Sequence, residues 1–165
     1  MDTALLFVRI VIGLAMLGHG TQKLFGWFGG YGIAGTGGFF EGLGFKPGKL
    51  FAAAAGLSEA GGGLLVALGL GGALGPAAIV MVMLVAALTV HVAKGFFAPN
   101  GFELNALYIA ASVGLAYTGG GAFSLDNALG FHFLDGTQAA SMLLAAAVIL
   151  AGLNLLARRA PAQQS

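Results

Sequence analysis

Seven side chains could do chemistry in this chain, and four of them come in two similar settings. "GHGTQK" (18–23) puts the His19 imidazole one helical turn before the Lys23 ammonium, with Gln22 between them. "HVAK" (91–94) repeats the arrangement with His91 and Lys94. Glu59 stands in "LSEAGGG", Arg9 in "FVRIV" and Glu103 at the head of "ELNALY", each surrounded by apolar residues. The two imidazoles have three uses open to them: donating to the carbonyl oxygens of a quinone, ligating haem or another metal, or hydrogen-bonding within a bundle. Haem is disfavoured, because two His at matched depth are all that supports it. A lone carboxylate such as Glu59 suits proton transfer. Ser58 adjoins Glu59 but faces away from it, and no nucleophile elbow is present, so a Ser–His–Asp hydrolase has no support. The chain has no cysteine, which removes thiolate chemistry, disulfides and iron–sulfur ligation. Electrons, if they move here, need a bound carrier.

The elements that must position these groups are membrane helices. Of the 165 residues, 58% are hydrophobic and 8% charged, against about 25% charged in a soluble domain. The reading is an all-α membrane protein. Net charge is +1, which gives no electrostatic case for a nucleic-acid partner. Five runs approach the roughly 20 apolar residues a span needs: 4–24, 49–70, 74–93, 104–121 and 138–157. "GLGGALGP" (69–76) divides the long charge-free run into two helices. "MDTALLFVRI" lacks a basic leader and a small-residue cleavage site, so the first span is expected to be retained. With five spans and the N-terminus outside, Lys23, Lys46, Lys49, Lys94, Arg158 and Arg159 fall on the cytoplasmic side, and Asp126 and Asp135 outside. The segments 25–48 and 95–103 hold too many Gly for regular helices. They read as interfacial or re-entrant pieces on the cytoplasmic side, either an aromatic belt or a lid over a polar pocket.

"GFFEGLGFKPGKL" (38–50) and "GFFAPNGFELNAL" (95–107) share G-F-F-x-x-x-G-F, each preceded by a His and a Lys. This suggests two parallel hairpins, 4–70 and 74–121, in a membrane domain of residues 1–135. An additional C-terminal span (136–158) and a tail (159–165) follow. Charges inside hydrocarbon cost at least about 2.5 kcal/mol and are functional candidates. By helical rise, Arg9 lies about 21 Å above Lys23 and Glu59 about 15 Å above Lys49, which predicts an Arg9–Glu59 ion pair. Ala52, Gly56 and Ala60 make a small-residue face on the second span, and Ala106, Ala110, Gly114 and Thr118 a similar ladder on the fourth.

The blocks "GHGTQKLFGWFGG", "LSEAGGGLLVALG", "KGFFAPNGFELNALY" and "GGGAFSLD", in this order, resemble the DoxX family of small bacterial membrane proteins. The resemblance implies a four-helix transmembrane bundle in the inner membrane. It also implies kinship with DoxD, a membrane subunit of thiosulfate:quinone oxidoreductases. The matching residues are His19 and Lys23, Glu59, Glu103 with Tyr108, and Ser124 with Asp126. This chain departs from the family at Gly119-Gly120-Gly121, where G-P-G is frequent, and in its fifth span. The expected function is a membrane subunit of an oxidoreductase system. Glu59, His19 and His91 would manage protons, and a pocket of His19, Lys23, Glu59, Arg9 and Glu103 would hold a quinone. The implied partners are the bilayer and a soluble redox enzyme or a second copy of the chain. The alternatives are a non-catalytic anchor or assembly protein and, third, a small-molecule or proton conduit.

Overall fold

Glycine punctuates the chain where the sequence changes direction. The computed structural model describes residues 1–159. Helix α1 (Asp2–Phe25) stops at Gly26, whose left-handed φ of 74° turns its N–H back onto the Gln22 carbonyl. A short turn leads into α2 (Gly32–Gly42), and α3 (Gly48–Leu68) ends at a second left-handed residue, Gly69. Helix α4 (Leu74–Ala86) continues through a π-helical turn (Ala87–His91) and a final tight turn to Lys94. Helices α5 (Glu103–Thr118), α6 (Leu125–Leu129) and α7 (Thr137–Leu156) complete the chain, with no strand among the described residues.

Among the described residues, four helices are long and apolar enough to cross a membrane: α1, α3, the continuous stretch Leu74–Lys94, and α7. The sequence predicts a fifth at 104–121, but α5 has 16 residues and rises only about 24 Å. It stops early because Gly119, with φ 69°, breaks away from the helix. The segment 32–42, predicted to be too Gly-rich for a regular helix, is helical. Its glycines allow contact: Gly37 lies against Lys49, and the Glu41 carboxylate accepts from the Gly48 N–H at 3.0 Å, satisfying one of the free donors at the start of α3.

Missing side chains hold the centre of the bundle together. Helices α1 and α3 run antiparallel, and a Cβ at Gly13 would lie 2.6 Å from both the Gly63 carbonyl oxygen and the Ala67 nitrogen. Gly20 meets Gly56 and Ala60 in the same way. The predicted Ala52–Gly56–Ala60 face is therefore the start of the stripe that receives α1. Gly62 and Gly75 allow a similar approach of α4 to the other side of α3. Met16, Val66, Ile79, Met83 and Leu115 fill the space between these helices. The ladder on α5 behaves differently: Ala110, Gly114 and Thr118 are exposed, and a Cβ at Gly114 would meet nothing within 4 Å.

Arg9 closes one end of the bundle. Its side chain is 3% exposed, and every hydrogen bond it makes ends on a backbone carbonyl. Nε donates to Val66 (3.1 Å) and Nη2 to Ala67 (3.1 Å) and Phe123 (3.2 Å), while Nη1 reaches Phe123 and Gly120. Ala67 carries an orphan carbonyl of the α3 C-terminus and Val66 one that also accepts from the Gly69 N–H at 3.1 Å, at a helix end where a cation is favoured. Asp126 binds the Gly71 and Gly72 N–H groups at 3.0 and 2.7 Å, and Ser124 caps α6 by accepting from Asn127.

Three outcomes test this packing by thermal unfolding in nanodiscs. Gly13→Val should cost about 1–3 kcal/mol by forcing α1 from α3. Gly18→Ala, where a Cβ meets nothing within 4 Å, should be neutral or slightly stabilising. Arg9→Leu, which strands the carbonyls that Arg9 serves, should cost about 2 kcal/mol.

Candidate functional site

At the other end of the bundle the interior turns polar. The α1–α3 register sets Gly20 beside Gly56 and Ala60, so Glu59 faces the stretch just before Lys23. Lys23 reaches across, and its Nζ lies 2.5 Å from Glu59 Oε2. Glu59 is 1% exposed, among the most deeply buried side chains of the protein. A carboxylate there needs a counter-charge, and the flexible four-carbon stem of Lys brings one from the rim.

The predicted Arg9–Glu59 pair does not form. Arg9 lies eleven residues, about 16 Å of helix, from Gly20, at the level of Ala67. The pairing expected from helical rise requires Lys23 and Lys49 to lie in one plane, and they do not. Counting from the Gly20–Gly56 crossing, Lys49 lies about 6 Å further out than Lys23, because α3 begins beyond the end of α1.

Two cavities meet at this ion pair. One, of about 260 Å³, is walled by Phe39 and Phe40 of α2, Phe45, and Phe51 of α3. Met81, Val82 and Val85 of α4 face them, and Asn154 of α7 reaches in. Its polar end is Lys23, Glu59 and His91. The other, of about 240 Å³, is bounded by His19, Asn105 and Tyr108, with Pro99 and Gly101 from the loop before α5. Lys23, Glu59, Ala86 and His91 line both cavities.

His91 closes the π-helical turn, a widened geometry that recurs at functional sites. Its Nδ1 lies 2.8 Å from the Asn100 carbonyl, tying the ring to the 95–102 loop. The exposed His19 stands at the mouth of the second cavity, edge-on to Tyr108 with ring centroids 5.9 Å apart. Buried Asn105 donates to Met83 Sδ at 3.5 Å.

The structure thus brings together His19, Lys23, Glu59 and His91, and leaves Arg9 and Glu103 elsewhere. Arg9 serves backbone carbonyls at the opposite end. Glu103 Oε2 accepts from the Ala98 N–H at 2.9 Å and shapes the loop rather than lining either cavity. Sequence reasoning did not place the Phe wall, Asn105 or Asn154 at the site. The signals available were the G-F-F motif one helix away from Glu59 and a carboxamide within each of two apolar helices.

These features define an all-helical membrane bundle with an ion pair buried between an aromatic and a polar cavity. A family model, DoxX, matches residues 4–92, more than half of the chain, and the protein belongs to the DoxX family. No curated protein and no solved structure matches it. The matched stretch contains His19, Lys23, Glu59 and His91. Asn105, Tyr108 and all of α7 lie beyond it.

A double-mutant cycle tests the ion pair. Lys23→Met should destabilise by about 3–5 kcal/mol, because it strands a buried carboxylate. Lys23→Met combined with Glu59→Met should be much milder than the sum of the two single changes, as read by unfolding midpoints.

Proposed function

We propose that the protein is a quinone-contacting membrane subunit of an oxidoreductase system, and that the Lys23–Glu59–His91 end of the aromatic cavity receives the headgroup. One observation carries this reading. The cavity wall is mostly phenyl and aliphatic, and an ammonium donor, a carboxylate and an imidazole border it, with Thr89 and Asn154 as its other polar side chains. Sites for small apolar molecules are built this way, from hydrophobic and aromatic walls with a few placed polar groups. Phe39, Phe40, Phe45 and Phe51 would flank the ring and the start of an isoprenoid tail. Lys23 would donate to a carbonyl oxygen, and Glu59 would hold or release a proton beside it. When bound, a quinone supplies the two-electron carrier chemistry that this cysteine-free chain does not encode. The electrons would come from a soluble redox partner.

The same proposal sets the protein in a bacterial inner membrane, with α5 as a fifth, short crossing and the N-terminus outside. Clustering of cations supports that orientation. Arg158 Nε bonds the Leu43 carbonyl at 2.9 Å, so the end of α7 shares one face with Lys46, Lys49 and Lys94, while Asp126 lies at the Arg9 end. A conduit would need that far end open, and there the Arg9 cluster leaves only about 10 Å³.

A non-catalytic anchoring role is favoured by a different feature. Phe28 holds a left-handed φ of 52° with its ring 76% exposed, beside the exposed Trp27 and Tyr31. A strained, outward-facing aromatic turn suits a docking surface at the membrane interface.

Protein extracted gently into nanodiscs should carry endogenous quinone in its lipid extract and bind a short-chain quinone analogue saturably. Phe40→Ala and Glu59→Gln should each weaken that binding about tenfold, a change of roughly 1.4 kcal/mol. Absence of both co-purified quinone and saturable binding would leave the anchoring role.

A further inference from the structure

We propose that the Lys23–Glu59 pair is a partition between two compartments, and that the polar one is an aqueous vestibule through which Glu59 exchanges protons with the lysine-rich face. The purpose of that exchange rests on the quinone role proposed above; the vestibule can be tested apart from it.

Three observations support the inference. First, the two cavities share Lys23, Glu59 and His91 but differ in what surrounds them: four phenyl rings and aliphatic side chains with Thr89 and Asn154 on one side, and His19, Asn105 and Tyr108 on the other. About 240 Å³ of space bordered by these polar groups holds several waters, at roughly 30 Å³ each. Second, Glu59 uses only Oε2 on Lys23. Its Oε1 has no protein hydrogen-bond partner among the described residues, yet it is not sealed away from the cavities. A carboxylate accepts several hydrogen bonds, and water is the partner that fits. Third, the floor of the polar cavity is the 95–102 loop, whose residues 95–100 are all exposed. The bonds from His91 to Asn100 and from Ala98 to Glu103 fix that loop, with exposed Pro99 and buried Gly101 both lining the cavity.

The step itself is a simple exchange. A proton from bulk hydronium is relayed along water from the loop side, each water gaining one proton as it passes one on, and binds Oε1, which turns the carboxylate into a neutral carboxyl and leaves the waters unchanged. Lys23 keeps its three protons, and the reverse transfer restores the pair. Neither direction requires passage through the aromatic cavity, so a bound apolar molecule would not block proton supply.

The absence of native cysteine makes the test direct. Asn105→Cys puts a unique thiol in the vestibule at a buried position, and Val85→Cys puts one in the aromatic cavity. In nanodiscs, a charged methanethiosulfonate should modify Cys at 105 at least about tenfold faster than at 85, since the thiolate reacts only where the aqueous reagent reaches it. A water-soluble carbodiimide should also join Lys23 to Glu59 as an intramolecular amide, read as loss of one water in the peptides that contain them. Prior modification of Asn105→Cys should suppress that cross-link, and reduction of the mixed disulfide should restore it. Equal modification rates at the two positions, or a cross-link indifferent to the vestibule plug, would overturn the proposal. Vestibule labelling in protein that binds no quinone analogue would retain the vestibule and remove the quinone role.

Discussion

A carboxylate buried in an apolar bundle dictates the layout of this protein. Glu59 is 1% exposed, and a charge of that kind is tolerated in hydrocarbon only beside a partner. Lys23 can be that partner only if α1 and α3 cross at the observed register. The register in turn depends on Gly13, Gly20, Gly56 and Gly63, whose absent side chains let the two backbones touch. The small residues are therefore not generic membrane glue here. They set the level at which an ammonium from one helix finds a carboxylate on the next.

The two ends of the bundle then divide the labour. At one end Arg9 ties off the carbonyls of α3 and of the loop before α6, and Asp126 ties the α3–α4 turn. Around Arg9 that end is closely filled, with only about 10 Å³ left free. At the other, polar groups converge but the space between helices stays open, walled by α2 on one side and the 95–102 loop on the other. Helix α7 contributes to both α4 packing and the open end, where Asn154 enters the aromatic cavity and Arg158 lies over Phe45 at 5.6 Å.

Much of this was legible in the sequence, for physical reasons. Long apolar runs with few charges can only be membrane helices, and the Gly/Pro break at 69–76 had to be a turn. His19, Lys23, Glu59 and His91 stood out because ionisable groups in such runs gather towards an interior, and the structure does bring them together. Pairing was less legible. Arg9 and Lys23 were both cations on α1, and depth counted from each helix's own Lys ignores where one helix begins relative to the other. Arg9 also illustrates that a guanidinium can be satisfied wholly by backbone carbonyls, which no residue pattern announces. The helix at 32–42 was hidden because glycine content argues against helix in isolation, whereas contact with the start of α3 supplies the stability that propensity lacks.

The most direct measurement is the distance between Lys23 Nζ and the Glu59 carboxyl carbon by solid-state NMR, on selectively labelled protein in lipid bilayers. An ion pair with N–O separation of 2.5 Å predicts a nitrogen–carbon distance of about 3.5 Å, typical of a charge-assisted contact. A distance beyond roughly 6 Å, outside the range of direct pairing, would contradict the shared polar centre on which both cavities depend.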